Sequence, residues 1–107
     1  MSFHAFDASL QLVRELRAPA AAIARCDPSL ADQLRRAASS VGLNVAEGNR
    51  RSGRDRRYHF RVASGSAAEV AASLRLAEAW GHVDGAAAEA PLHTCDRVLA
   101  MLYRLTR

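Results

Sequence analysis

The spacing of apolar side chains is the feature that most constrains how this chain of 107 residues can fold. Every long segment repeats apolar residues three or four positions apart, and no run alternates as a half-buried strand would. Four such segments, joined by short turns, predict an all-α fold, an antiparallel up-down-up-down four-helix bundle. The length and the lack of linkers and repeats predict a single domain over residues 1–107.

The first two predicted helices meet at Asp27, an N-cap residue that is followed by Pro28 at the first helical position. We expect Pro19 to kink the first helix or to split off a short last turn, and Gly48 to end the second helix. The apolar stripe of the first helix consists of Phe3, Phe6, Leu10, Val13 and Ala20, widened by Leu12, Leu16 and Ile23. The stripe of the second helix consists of Leu30, Leu34, Ala37, Ala38, Val41 and Val45.

The third predicted helix begins after Ser52, which with Asp55 resembles a capping box, and ends at Gly81. Gly65 costs about 1 kcal/mol relative to Ala inside a helix, so we expect close packing to require it. The residues expected to face inward are Tyr58, Val62, Val70, Leu74 and Ala77. The fourth helix begins somewhere from Asp84 to Pro91, and its apolar positions are Leu92, Cys95, Val98, Leu99, Leu102 and Leu105.

Alanine dominates the apolar residues, which make up 50% of the chain. Alanine has little surface to bury, so the predicted core is thin unless helices pack very closely or chains associate. No stretch reaches the length of a membrane span, and the N-terminal sequence lacks the form of a signal peptide. We therefore expect no membrane partner and a cytoplasmic location.

The cysteine and histidine residues are scattered along the chain. Cys26 and Cys95 stand far apart without a CxxC motif, so we expect two buried small apolar side chains and no disulfide. The four histidines form no HExxH motif and have no carboxylate at a fixed spacing. The sequence therefore predicts neither a metal site nor a cofactor.

A polar seam is predicted between the second and third helices. Folding the chain about residues 50 and 51 places Asn44 near Arg57 and Ser40 near Arg61. In the structural interpretation, Arg36 pairs with Glu69, while Ser40, Asn44 and Ser66 satisfy one another.

The catalytic alternative makes Glu47 and Glu69 a general acid and base. No Ser-His-Asp, Cys-His or paired-carboxylate motif accompanies them. The absence of such a motif favours the structural interpretation of the seam and predicts that the protein is not an enzyme.

Residues 50–61 hold six arginines against one aspartate, whereas the whole chain has a net charge of +4. At helical spacing Arg54, Arg57 and Arg61 share one face, Arg50 and Arg51 lie in the turn, and Arg56 points elsewhere. The candidate nucleic-acid-binding residues are therefore Arg50, Arg51, Arg54, Arg57 and Arg61. In the alternative interpretation they are ordinary solvated charge, some pairing with Glu47 or Asp55, while Tyr58 and Phe60 anchor the core.

Several spaced elements of residues 30–81 resemble the signature of a bacterial family encoded in intervening sequences of 23S rRNA genes. They are Arg36-Ala37-Ala38-Ser39-Ser40, Asn44-Val45-Ala46-Glu47-Gly48, Arg51-Ser52, Phe60 and the run from Val62 to Glu69. The departure from Ile to Val at positions 45 and 62 is conservative. The signature residues for which the resemblance and the seam imply a structural role are Arg36, Ser40, Asn44, Glu47, Gly48, Ser66 and Glu69.

The resemblance implies an antiparallel four-helix bundle that assembles as a ring, commonly a pentamer. Some relatives, the accessory proteins of diversity-generating retroelements, bind nucleic acid and a reverse transcriptase through basic surfaces. Two hypotheses follow: a non-enzymatic homo-oligomer that offers its arginines to RNA, DNA or a nucleoprotein, and a protein-binding scaffold without a nucleic-acid role.

Overall fold

A computed structural model describes residues 3–107 of the chain. These residues form four helices and no strand: α1 (Phe3–Cys26), α2 (Pro28–Asn49), α3 (Gly53–Ala79) and α4 (Gly85–Thr106). The predicted all-α class is therefore confirmed. None of these helices combines the length and the apolar character needed to cross a lipid bilayer.

The helices form an antiparallel bundle in which each one packs against its neighbours in the chain and α1 closes against α4. The connections are short: Asp27 alone, residues 50–52 and residues 80–84. Such short connections force successive helices to run in opposite directions. The resulting body measures 42 × 22 × 19 Å, and the up-down-up-down topology is confirmed.

The core divides into two apolar clusters along the bundle axis. One cluster includes Ile23 and Leu74, and the other contains Ala5, Phe60 and Leu102. The second cluster shows that the beginning of α1, the connection from α2 to α3 and the end of α4 lie at the same end of the bundle. We call this the arginine end, because it carries residues 50–61.

Helix α1 buries only part of the predicted apolar stripe. Leu10 and Val13 are exposed, Phe6 is half-buried, and the side chain of Phe3 lies outside the description. The buried positions are Ala5, Ala8, Ser9, Leu12, Leu16, Pro19, Ala20 and Ile23. Small residues on this face let α1 approach α2 closely, since a Cβ added to Gly42 would lie 3.2 Å from Ser9 Oγ. The predicted stripe is confirmed at Leu12, Leu16, Ala20 and Ile23 and is wrong at Leu10 and Val13, because the contact with α2 is made by small residues such as Ala5, Ala8 and Ser9.

The two prolines within helices do not interrupt them. Pro19 was expected either to kink α1 or to split off its last turn; the helix continues through Pro19 to Cys26, so the second alternative is wrong. Helix α4 begins at Gly85, where Asp84 Oδ1 accepts a hydrogen bond from Ala87 N at 2.9 Å, and it continues through buried Pro91. The start of α4 therefore lies at the Asp84 side of the predicted range.

Helix α2 follows its prediction at the start and departs from it at the end. Asp27 Oδ1 accepts a hydrogen bond from Leu30 N at 3.1 Å, which confirms the predicted cap. All six residues of the predicted stripe are buried. Gly48, however, lies inside the helix, which runs to Asn49, so its expected role as terminator is wrong. A Cβ at position 48 would lie 2.5 Å from Phe60 Cε1, so glycine is needed there for close packing of α2 on α3.

Helix α3 buries Phe60 completely, as predicted, together with Val70, Leu74 and Ala77. Tyr58 is 61% exposed and is not a core anchor, because it lies on the side of α3 that faces solvent.

Gly65, Ser52 and Gly81 were each predicted to have a special role in or beside α3. Gly65 is exposed and a Cβ there would meet nothing within 4 Å, so the packing demand expected at this position is absent within the chain. Ser52 occupies the N-cap position but its side chain makes no cap hydrogen bond, and the predicted capping box is wrong. Gly81, with φ of +81°, lies just after the helix as predicted.

The two cysteines differ in environment. Cys95 is buried in the core, as predicted, whereas Cys26 at the end of α1 is exposed, contrary to the prediction. The sulfur of Cys26 is thus accessible because α1 ends at the surface. Both thiols are free.

Candidate nucleic-acid interface

A hydrogen-bonded polar seam joins α2 to α3. Ser66 Oγ donates to Ser40 Oγ at 2.8 Å, and Asn44 Nδ2 donates to the carbonyl oxygen and the hydroxyl of Ser40 at 2.9 and 3.1 Å. The mutual contacts predicted for these three residues are confirmed. His59 is an additional member, since its Nδ1 lies 3.2 Å from Asn44 Oδ1. The spacing of seven residues between His59 and Ser66 places them on one helical face and could have identified it.

The seam corrects the predicted register between the two helices. Asn44 meets His59 instead of Arg57, and Ser40 meets Ser66 instead of Arg61. The connection occupies residues 50–52, so the chain reverses later than predicted.

The predicted pair between Arg36 and Glu69 is wrong. Arg36 Nε instead bonds Asp32 Oδ2 at 3.0 Å, one turn earlier on the same exposed face of α2. Glu69 is exposed on α3. Both side chains lie on the outer surface, because the positions that face each other across the seam are occupied by small polar residues.

Two arginines of the cluster are held by contacts within the fold. Arg51 donates from Nε and Nη2 to Glu47 Oε2 at 2.8 and 2.7 Å, and this contact keeps the pKa of Glu47 below its ordinary value. Arg56 donates from Nη1 to the carbonyl oxygen of Gly48 at 3.3 Å, and its guanidinium lies 4.8 Å from the centroid of the Phe60 ring. Arg51 Nη1 also lies 4.0 Å from Asp55 Oδ2, so Arg51 and Arg56 both tie the start of α3 to the end of α2.

Three other arginines extend from the first turns of α3 into solvent. Arg54, Arg57 and Arg61 are exposed, and within residues 3–107 none of them has a hydrogen bond or an ion pair. Arg50 is exposed beside Glu47 and contributes to lowering the pKa of that carboxyl. The candidate set therefore divides into Arg51, which is neutralised by Glu47, and arginines whose guanidinium groups are available.

The C-terminal turn of α4 adds charge to the arginine end. Arg104 is exposed, and the guanidinium of Arg107 lies 5.7 Å from the centroid of the Tyr103 ring, which is 64% exposed. Sequence reasoning missed these residues because it considered one continuous segment. The antiparallel topology, which it did predict, was the available signal, since it brings the ends of α2 and α4 together.

Charge is distributed unevenly along the bundle axis. The half of the bundle at the arginine end, formed by residues 3–14, 39–66 and 96–107, holds ten of the fifteen arginines. The same half holds four of the eleven acidic residues, so the other half is net acidic. The charge asymmetry is therefore a property of the whole fold and extends beyond residues 50–61.

Few side chains in the described part of the chain are placed for metal binding or acid-base catalysis. Residues 3–107 contain no group of three or more His, Cys, Asp or Glu side chains arranged to hold a metal ion. Glu47 is engaged by Arg51, and Glu69 is exposed on the outer surface of α3.

Comparison with known proteins agrees with this architecture. A crystal structure of a protein of unknown function from the S23 ribosomal protein family of Bacteroides thetaiotaomicron has the same fold, with a TM-score of 0.85 and 19% sequence identity. The similarity covers 96% of this chain and 98% of the other. No functionally curated protein matches the sequence. The family described as 23S rRNA-intervening sequence protein matches residues 4–104, which is nearly the whole chain. The protein therefore belongs to the 23S rRNA-intervening sequence protein family.

Proposed function

We propose that this protein is a non-enzymatic, self-associating helical bundle that binds RNA, DNA or a nucleoprotein through its arginine end. The proposal rests on a difference among the arginines of this end: two make contacts within the fold and, in the described part of the chain, three do not. Arg51 and Arg56 connect α2 to α3, whereas Arg54, Arg57 and Arg61 lie on the surface without partners among the described residues. Folding gives no reason for three adjacent exposed guanidinium groups.

The chemistry of arginine supports phosphate as the target of this surface. A guanidinium presents a planar set of donors that can bind two phosphate oxygens at once, and its charge persists at any physiological pH. Each phosphate that is neutralised releases counterions, so such binding weakens as salt concentration rises. The acidic half of the bundle would disfavour contact with a polyanion, which leaves the arginine end as the side that meets it.

The non-enzymatic part of the proposal is supported by the surroundings of the carboxylates. A general acid or base needs a neighbour that tunes its pKa and a reacting group within reach. The carboxylate of Glu47 is occupied by Arg51, and Glu69 is exposed on the outer surface of α3.

Self-association is supported by the large apolar side chains that remain on the surface. Leu43, Leu76 and Trp80 are more than half exposed, in a chain whose core is built mainly from small residues. Their burial between copies would add the apolar area that a single chain lacks.

The nucleic-acid proposal is tested by salt-dependent binding of labelled RNA and DNA. We expect the triple variant Arg54→Gln, Arg57→Gln, Arg61→Gln to lose roughly tenfold or more in affinity. The salt dependence should also weaken: the slope of log K against log salt should decrease by the amount expected for the loss of about three phosphate contacts. The control variant Arg17→Gln, Arg25→Gln, Arg75→Gln removes the same charge from exposed positions in the other half of the bundle. It should leave the affinity nearly unchanged.

Three results would reject the proposal: no binding by the native protein, binding that ignores salt, or an equal loss in both triple variants. Affinity purification before and after nuclease treatment distinguishes this proposal from the alternative of a protein-binding scaffold without a nucleic-acid role. A protein partner that is retained after nuclease, with no direct binding of nucleic acid, would assign the arginine end to protein recognition instead.

A further inference from the structure

We infer that the nucleic acid bound at the arginine end is single-stranded, and that Tyr58 stacks on one of its bases. The inference rests on the proposed function and specifies the class of ligand. Its starting point is that Tyr58 is 61% exposed, whereas Phe60 two residues later is fully buried. The fold thus uses one aromatic residue of this turn for its core and leaves the other on the surface.

The position of Tyr58 places it among the available arginines. It lies four residues after Arg54 and three residues before Arg61, so the three side chains share one face of α3. Arg54 and Arg61 are separated by about 10 Å along the helix axis, with the tyrosine between them. A strand whose phosphates contact the two arginines would therefore pass its bases over Tyr58.

The polar seam supports the ring of Tyr58 through His59. The ring of His59 meets it edge to face, with 5.3 Å between the centroids and 76° between the planes. His59 is in turn held through Nδ1 by Asn44, which is bonded to Ser40. The exposed ring therefore rests against a fixed neighbour, and less freedom is lost when a ligand covers it.

Stacking distinguishes single strands from duplexes. In a duplex the faces of the bases are covered by their neighbours, whereas an unpaired strand can present them to a protein. Aromatic stacking on an unpaired base contributes roughly tenfold or more to affinity and works with any base. Arginine contacts to phosphate are available in both forms, so Tyr58 should be the source of the preference.

The experiment compares labelled oligo(dT) and oligo(U) with a duplex of the same length, each of roughly 20 nucleotides, which exceeds the usual site size. The native protein should bind the single strands roughly tenfold more tightly than the duplex. Tyr58→Leu should remove this difference by weakening single-strand binding alone, with an unchanged salt slope. Tyr58→Phe should retain the difference, because the ring and not the hydroxyl carries the stacking.

His93→Leu is the matched control, because His93 is an exposed aromatic ring outside the half of the bundle at the arginine end. It should leave the affinities for both ligands unchanged, and thermal unfolding should show that each variant is folded. Equal binding of duplex and single strand by the native protein would overturn the inference. So would an equal effect of Tyr58→Leu on both ligands, or no effect on either. In these cases the triple arginine variant still tests the proposed function, whereas absence of all binding removes both.

Discussion

At the scale of single residues, glycine serves different purposes at positions 48 and 65. Gly48 is buried against the Phe60 ring, while Gly65 is exposed on the outer side of α3. The sequence shows both as glycines within helices, where glycine costs stability. Only the packing of α2 on α3 reveals which of the two is required.

Substitution of the two glycines by alanine should therefore have opposite effects. Gly48→Ala places a Cβ 2.5 Å from Phe60 Cε1, and we expect it to lower the free energy of unfolding by about 1–3 kcal/mol. Gly65→Ala meets no atom within 4 Å and should raise the free energy of unfolding by about 0.5–1 kcal/mol. Urea denaturation followed by circular dichroism measures both. Similar effects at the two positions would contradict this account.

The two cysteines provide a chemical test of burial. Desolvation raises the pKa of the Cys95 thiol to about 12, so it remains protonated at mildly alkaline pH, whereas Cys26 is exposed. We expect a thiol reagent such as DTNB to modify one cysteine of the native protein rapidly and the second only after denaturation. Cys26→Ser should abolish the rapid reaction. Rapid reaction of that variant would mean that the core around Cys95 opens readily.

At the scale of helices, the sequence was most informative where a local signal coincides with a core contact. Helix α2 begins at a true Asp27 cap and buries its predicted stripe, because both features depend on residues near each other in the chain. In α1 the closest approach to α2 depends on Ser9 and Gly42, which belong to different helices. The exposure of Tyr58 likewise depends on which face of α3 packs against the other helices. The helical period of the sequence alone does not determine that face.

The helix caps of α2 and α3 should differ in energy despite similar sequence signals. Asp27→Ala removes the hydrogen bond from Leu30 N and should lower the free energy of unfolding by about 0.5–2 kcal/mol. Ser52→Ala removes a side chain that makes no cap hydrogen bond, so a change of at most a few tenths of a kcal/mol is expected. Parallel urea titrations of the two variants give the comparison. A large loss in Ser52→Ala would show that its hydroxyl does cap α3 in solution.

At the scale of the whole molecule, the bundle topology was predictable, but the arrangement of the site was only partly so. Residues 50–61 identified the location of the charge, and the antiparallel order of the helices followed from their short connections. The pairing of Arg51 with Glu47, four residues earlier, was foreseen in the alternative interpretation of the cluster. The hydrogen bond from Arg56 to the carbonyl oxygen of Gly48 was not predictable, because it depends on the register of α2 against α3. The contribution of Arg104 and Arg107 required the ends of two helices to be considered together.

We expect the protein to self-associate, and a pentamer of the 11.6 kDa chain is the specific form predicted from the family resemblance. Size exclusion with light scattering measures the mass directly. Leu76→Glu and Trp80→Glu place charge on apolar side chains that are more than half exposed, and should shift the protein towards smaller species if these side chains lie between copies. A native protein that is monomeric at all concentrations would reject the expectation.

The unequal distribution of arginine along the bundle also affects how the molecule moves before it binds anything. With ten of fifteen arginines in one half, the molecule has an electric dipole along its long axis. The field near a polyanion exerts a torque on such a dipole, so the arginine end would turn towards the charge during the approach. The arginine end would then begin to turn towards its ligand within about one Debye length, which is roughly 10 Å at 0.1 M salt. Added salt shortens this length, so the association rate would fall as the salt concentration rises.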